Sequence, residues 1–374
     1  MESIPVWEQV GIVCRSEILG LDAQGREGVG NEPRILVFLP GAFEIRRTVE
    51  LLERSSWSRG WEVKPLYSGL SPAAQSEAVS PGGAPRIIVA TNVAETSITI
   101  DGVVVVIDSG LARMASYDSG RAIDTLTVGK VSRASAQQRA GRAGRTGPGR
   151  CVRLWSERDH GRRSEFESPE VHRIDLAEAV LYLKSGGVDE IRDFRWLDAP
   201  EEDSLRRAED LLKMLGAVDE EGKLTEIGYS MARYPLHPRA ARLLEAAKRE
   251  GCVAEACFSA AVLQGEGIFT RKATRAQKER FQEDGDRSDF ELEWRACEVA
   301  ERLRFDPVRC GELGLHARQA REILQSWQQL CRLVGRPAIR RGHVDMEELR
   351  IPLGRAVLAA YGDHVAVRTS RGSL

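Results

Sequence analysis

The 374-residue sequence has no apolar run approaching the length of about eighteen residues that a membrane span needs, and Met1 opens no signal-peptide pattern. The expectation is a soluble, cytoplasmic protein with no membrane partner. Its seven cysteines are an odd number and include no C-x-x-C pair, which argues against a disulfide framework and a zinc knuckle and predicts reduced thiols in the core. His160, His172, His237, His316, His343 and His364 lack metal-ligand spacing, so no metal site is expected. Net charge is −2, so an electrostatic case for a nucleic-acid partner must rest on local patches. Nowhere does a glycine-rich loop end in Gly-Lys-Ser or Gly-Lys-Thr: Gly129-Lys130 and Gly222-Lys223 run on into Val131 and Leu224. The sequence therefore contains no phosphate cradle of that type.

What is present, 42% hydrophobic and 29% charged residues over a length too great for one ordinary core, predicts a globular chain of two or three domains. RILVFLPG (Arg34–Gly41) followed by Ile45, Val49 and Leu52 at helical spacing reads as strand then helix. WEVKPLY (Trp61–Tyr67), RIIVA (Arg86–Ala90) and VVVVID (Val103–Asp108) are β-branched runs suited to strands buried on both faces. The fold class is thus an α/β lobe with a doubly wound parallel sheet, and chemistry is to be sought just after Leu39, Ala90 and Ile107, at the strand carboxyl ends.

TNVAETSITIDG (Thr91–Gly102) offers hydroxyls and two carboxylates, Glu95 and Asp101, which suits phosphate or ribose; it would equally serve as a capped loop, with Thr91 and Asn92 satisfying backbone donors. SAQQRAGRAGRTGPGR (Ser135–Arg150) is sharper. Read as a helix, it places Gln138, Arg142 and Arg145 on one face at i, i+4 and i+7. Each internal glycine there would cost roughly 1 kcal/mol against alanine unless a close approach offsets it. Planar guanidinium forks match phosphate oxygens, and such a face suits an arginine-finger pair.

In order and spacing, FLPG (Phe38–Gly41), ATNVAETSITIDG (Ala90–Gly102) and QRAGRAGR (Gln138–Arg145) resemble motifs IV, V and VI of DEAH-box helicases. CVRLWSE (Cys151–Glu157), FRWLDAP (Phe194–Pro200), LLKMLGAVDEEGKLTEIG (Leu211–Gly228) and YPLHPRAARLL (Tyr234–Leu244) resemble the bacterial HrpB branch. The resemblance implies an N-terminal segment over 1–33, a RecA-like second lobe over 34–165, a winged-helix region over 166–236, a helical ratchet domain over 237–350 and the opening of a C-terminal region over 351–374. The residues themselves suggest an acidic helix near Ser204–Leu215, a wing-like turn at Asp219–Lys223 and mostly helix beyond Pro238.

The resemblance also implies an ATP-dependent helicase, with Arg142 and Arg145 on the ATP phosphates, Gln138 in the hydrolytic water network, Thr99 and Asp101 on the ribose, and Thr91, Asn92 and Gly41 on the nucleic-acid backbone. Ser116–Ser135 falls where the family inserts a β-hairpin, with turn chemistry at Asp118–Gly120 and Val128–Lys130. Where many relatives stack an aromatic on adenine, AQSEAVSPGG (Ala74–Gly83) has only Ala78 or Val79, which predicts weak base selectivity. No Asp-Glu pair of the metal-binding motif occurs, since Asp189 and Asp219 run on as DEIR and DEEG, so Mg2+ is expected mainly on a first lobe. Residues 1–33 are too few for that lobe. It and single-stranded RNA or DNA are the expected partners, and the chain alone is expected to hydrolyse no ATP. The alternative is a non-catalytic nucleic-acid-binding or regulatory module derived from such a helicase; the intact Gln138, Arg142 and Arg145 favour the motor. Nine arginines between Arg133 and Arg163, facing only Glu157 and Asp159, form the basic patch, whereas Arg271–Arg304 balances its charges and reads as solvated helices.

Overall fold

The structure, a computed structural model, describes residues 4–23, 33–96, 98–118, 123–145, 147–265, 267–336 and 346–365. The chain divides into two compact units, Met1–Ile174 and Asp175–Leu374.

Seven strands run through the first unit: β1 (Arg34–Phe38), β2 (Glu62–Leu66), β3 (Arg86–Ala90), β4 (Val103–Asp108), β5 (Leu111–Asp118), β6 (Ile123–Lys130) and β7 (Arg150–Arg153). Five of them make a parallel sheet in the order β2-β3-β1-β4-β7, and β5 and β6 form an antiparallel hairpin. The continuous apolar runs are explained by burial on both faces. Ile35, Val37 and Leu39 face one core with Ile87, Val89, Val105 and Ile107, while Leu36 and Phe38 face the other with Ile88, Ala90 and Val106. Pro65 sits in β2, an edge strand, where a missing backbone donor is tolerated.

Helices α1 (Val6–Ala23) and α2 (Ala42–Arg54) pack on the first of these faces. Within the expected N-terminal segment, Val6, Val10, Cys14 and Ile18 recur every four residues and dock α1 on the sheet. On the second face lie α3 (Pro72–Val79) and the 91–102 loop. Helices α4 (Arg133–Ala140) and α5 (Glu157–Gly161) complete the unit.

The hairpin forms, but it opens at Leu111 rather than Ser116. Val128–Lys130, expected to turn, lies within β6 and pairs with Leu111–Arg113; Ser119 and Gly120 lie outside the described residues.

The second unit holds α6 (Ala177–Ser185), α7 (Glu202–Met214), α8 (Glu226–Met231), α9 (Pro238–Glu250), α10 (Val253–Gln264), α11 (Arg275–Glu279), α12 (Asp289–Arg302), α13 (Pro307–Glu312), α14 (Ala317–Leu333) and α15 (Met346–Tyr361). The wing-like turn is present: Val218 bridges Leu224, and the Lys223 N–H donates to Asp219 Oδ1 at 2.8 Å. Phe258, Trp294 and Trp327 pack edge to face in the helical core, with centroids 4.8 to 6.4 Å apart. The boundary expected at 350/351 falls inside α15, because Leu353, Ala356 and Ala360 are buried and Arg239 of α9 pairs with Asp363 just beyond that helix. In Arg271–Arg304 the expected i,i+4 pairs occur at Arg275–Glu279 and Arg302–Glu298. Six of the seven cysteines are buried, and burial pushes the Cys252 thiol up to about 11. His237 and His316 cap α9 and α14 through Nδ1, and His343 lies outside the described residues.

Candidate nucleotide and nucleic-acid site

Because the sheet is parallel, its strand carboxyl ends share one edge, where Phe38 pairs level with both Ala90 and Asp108. Gly41, Thr91 and Asn92 follow those ends directly. Gly41 is buried at the N-cap of α2 and makes room for a side chain of the hairpin: a Cβ there would stand 2.8 Å from Arg113 Nε. Thr91 opens a 3₁₀ turn (Asn92–Ala94) without capping it, so its hydroxyl is not spent on the ordinary task of its residue type. Asn92 is exposed beside it.

From there the loop crosses one face of the sheet, burying Ala94 and Ile100. It ends at the opposite edge, where Gly102 O accepts the Arg34 N–H at the start of β1, 2.9 Å away. Thr99 and Asp101, both exposed, therefore lie at the amino edge of the sheet. Of the expected site residues, Gly41, Thr91 and Asn92 lie where ligands of such sheets gather, at the strand carboxyl ends, and Thr99 and Asp101 do not.

The QRAGRAGR segment is not one helix. Helix α4 stops at Ala140, and Arg142, Ala143 and Gly144 donate back to Arg139, Ala140 and Gly141, each three residues earlier. Three residues per turn align Arg139, Arg142 and Arg145, in place of the expected Gln138, Arg142 and Arg145. Gln138 is exposed on α4, whereas Arg142 is 7% exposed and turned inward. The glycines consequently carry no helix-interior cost. Close approach is met a few residues on, where a Cβ at Gly149 would stand 2.0 Å from Ala143 O.

Each of the three arginines grips a different piece of the 91–102 loop. Arg139, 1% exposed, donates from Nε to Glu95 Oε2 and from Nη1 to Asp108 Oδ1, both at 2.9 Å, and its guanidinium lies 4.9 Å from the Phe38 ring centroid. Arg142 donates from Nε to Glu95 O and from Nη1 to Ile98 O, both at 2.8 Å, and from Nη2 again to Glu95 O. Burial, and then the Arg145 charge, pull the Arg142 guanidinium below its ordinary pKa. Arg145 stays exposed and reaches Thr99 Oγ1 at 3.1 Å.

Arg139 does not stand out by spacing; its signal in the sequence is a pair of carboxylates, Glu95 and Asp108, close behind two buried strands and in need of a cation. Arg163, counted in the basic patch, does not reach the surface. It is buried, donates to Gly110 O at 2.8 Å and Val131 O at 3.0 Å, and stacks 4.1 Å from the Trp155 ring centroid. With Arg139, Arg142 and Arg163 committed internally, the basic patch is smaller than its composition suggests. Ala78 is buried and Val79 packs against the core, so both are engaged in packing. Among the described residues no group of three His, Cys, Asp or Glu side chains could hold a metal ion.

The profile of the helicase conserved C-terminal domain matches residues 21–147, and that of the winged-helix helicase associated domain (HA2) matches 208–236. The chain is 34% identical over 358 residues to the Schizosaccharomyces pombe pre-mRNA-splicing factor ATP-dependent RNA helicase prp22, covering 92% of this chain and 30% of that protein. It is 39% identical over 242 residues to the Haemophilus influenzae ATP-dependent RNA helicase HrpA homolog, covering 63% of this chain and 18% of that protein. Its fold matches the crystal structure of the E. coli DExH-box NTPase HrpB with a TM-score of 0.69 at 28% identity, over 99% of this chain and 39% of that one. The chain thus spans less than half the length of each of these relatives.

Proposed function

We propose that this chain, which belongs to the DEAH-box helicase family, is the second motor lobe and helical region of an HrpB-like ATP-dependent RNA or DNA helicase, completing a nucleotide site whose phosphate cradle comes from a first lobe. The carrying observation is the exposed Arg145 guanidinium 3.1 Å from the Thr99 hydroxyl, with Asp101 exposed two residues on. That edge offers a planar cation for phosphate oxygens together with a hydroxyl and a carboxylate for a ribose. Bound ATP would supply the phosphoryl group that is transferred to water. Arg145 would neutralise charge developing on it, Gln138 would orient the attacking water, and Arg142 would reach the phosphates on leaving its carbonyl partners. Mg2+ would be held mainly by the first lobe, as the family resemblance implies.

At the carboxyl edge, Gly41, Thr91 and Asn92 would hold the sugar-phosphate backbone of a single strand beside exposed Arg113. Such contacts read charge and spacing rather than sequence. Fluorescence anisotropy with labelled single-stranded RNA and DNA tests this reading. The chain should bind weakly, with little sequence preference and with affinity falling steeply as salt rises. Tight, salt-independent or strongly sequence-selective binding would contradict it.

A further inference from the structure

We infer that Arg139 is a positioning residue that makes the 91–102 loop and the base of the β5–β6 hairpin shift as one body. The value of that coupling to a motor rests on the helicase reading above; the coupling itself is a property of the free chain. One buried guanidinium joins three places: Glu95 in the loop, Asp108 at the end of β4, and Leu111 O, 3.2 Å away, at the first residue of β5. Ser135 Oγ fixes the other oxygen of Glu95 at 2.7 Å. Asp108 Oδ1 also accepts the Gly110 N–H at 2.8 Å and so shapes the turn into the hairpin.

The site is built for geometry more than for stability. A buried ion pair generally gains little over apolar packing of the same volume, and here one cation serves two carboxylates while Asp108 Oδ2 is buried with no partner. The planar fork leaves little freedom, because its Nε and Nη1 are both committed and the Phe38 ring lies 4.9 Å from its centre. The far side of the hairpin base is clamped by Arg163 through Gly110 O and Val131 O. The loop and the base of the hairpin are therefore tied to each other through a rigid link, and a shift of Glu95 reaches Leu111 through a single side chain.

Hydrogen exchange on the full 374-residue chain tests this without any ligand, using the loop substitution Asn92→Gly as the perturbation. In the wild-type background it should speed exchange in the loop and raise exchange across Leu111–Tyr117 by roughly three- to tenfold. In a Glu95→Gln background the loop should respond as before while Leu111–Tyr117 changes by less than about twofold. Arg139→Lys, which keeps the charge and loses the fork, should behave like Glu95→Gln, and Ser135→Ala, the mildest change, should give a partial loss. A purely structural Arg139 would leave the Asn92→Gly effect the same in every background, and that additive result would overturn the inference. Should wild-type chain fail to bind a single-stranded oligonucleotide, the helicase reading would fall while this cycle would still report on the coupling.

Discussion

Arg139, Arg142 and Arg145 share a residue type and a spacing, but differ in what their removal should do. Arg139→Ala leaves buried Asp108 and half-buried Glu95 without their cation and should destabilise the first unit by about 3–5 kcal/mol. Arg145→Ala, at an exposed position, should stay within about 0.5 kcal/mol of wild type. Urea unfolding of the two variants checks the contrast; equal losses would refute the assignment of separate tasks. The same contrast holds between Arg163 and its neighbour. Arg163→Ala should lower the melting temperature, whereas Arg162→Ala, on the surface, should leave it unchanged. In the second unit, Arg239 grips Asp363 with two bonds of 2.6 and 2.7 Å and holds that carboxyl below its ordinary pKa. Because the folded value lies below the unfolded one, this contribution is full above the ordinary carboxylate pKa and is lost as pH falls through the folded value. Asp363→Asn should therefore flatten the acid limb of the second unit's stability, and an unchanged limb would show that the pair contributes nothing.

Elements differ in how far they could be read in advance. The strands were legible because burial on both sheet faces demands unbroken β-branched runs, and β1, β3 and β4 carry them. Helix α1 is marked only by a four-residue apolar repeat, Val6, Val10, Cys14 and Ile18, with no strand or motif beside it to show what the repeat packs against. The QRAGRAGR turn was not legible. Helical spacing and three-residue turns both place Arg142 and Arg145 sensibly, and only the i→i+3 bonds distinguish them. The inward side chains Arg139 and Arg163 were hidden for a related reason: an arginine is usually exposed unless carboxylates or carbonyls distant in sequence receive it. The packing of the QRAGRAGR turn is itself testable. Gly149→Ala would drive a methyl to within 2.0 Å of Ala143 O, and should cost about 1–3 kcal/mol of first-unit stability. A neutral result by urea unfolding would mean that this backbone approach is relaxed in solution.

At the scale of the whole molecule, the net charge of −2 conceals a division of labour within the first unit. Gly41, Thr91 and Asn92, proposed for a nucleic-acid backbone, gather at one edge of the sheet, and Thr99 and Asp101, proposed for a nucleotide, at the other, with the 91–102 loop running between them. The family resemblance points to this set of residues but not to their separation, which depends on the path of the loop across the sheet. On the proposed function, the chain completes a nucleotide site that it cannot build alone. The decisive measurement is ATP turnover with single-stranded polynucleotide, for the chain by itself and for the chain joined to a DEAH-box first lobe. The chain alone should show no turnover above background, and the joined protein should hydrolyse ATP at a rate that Arg145→Ala lowers by about a hundredfold or more without shifting the melting temperature. Turnover by the chain alone, or full turnover in the joined Arg145→Ala protein, would contradict it.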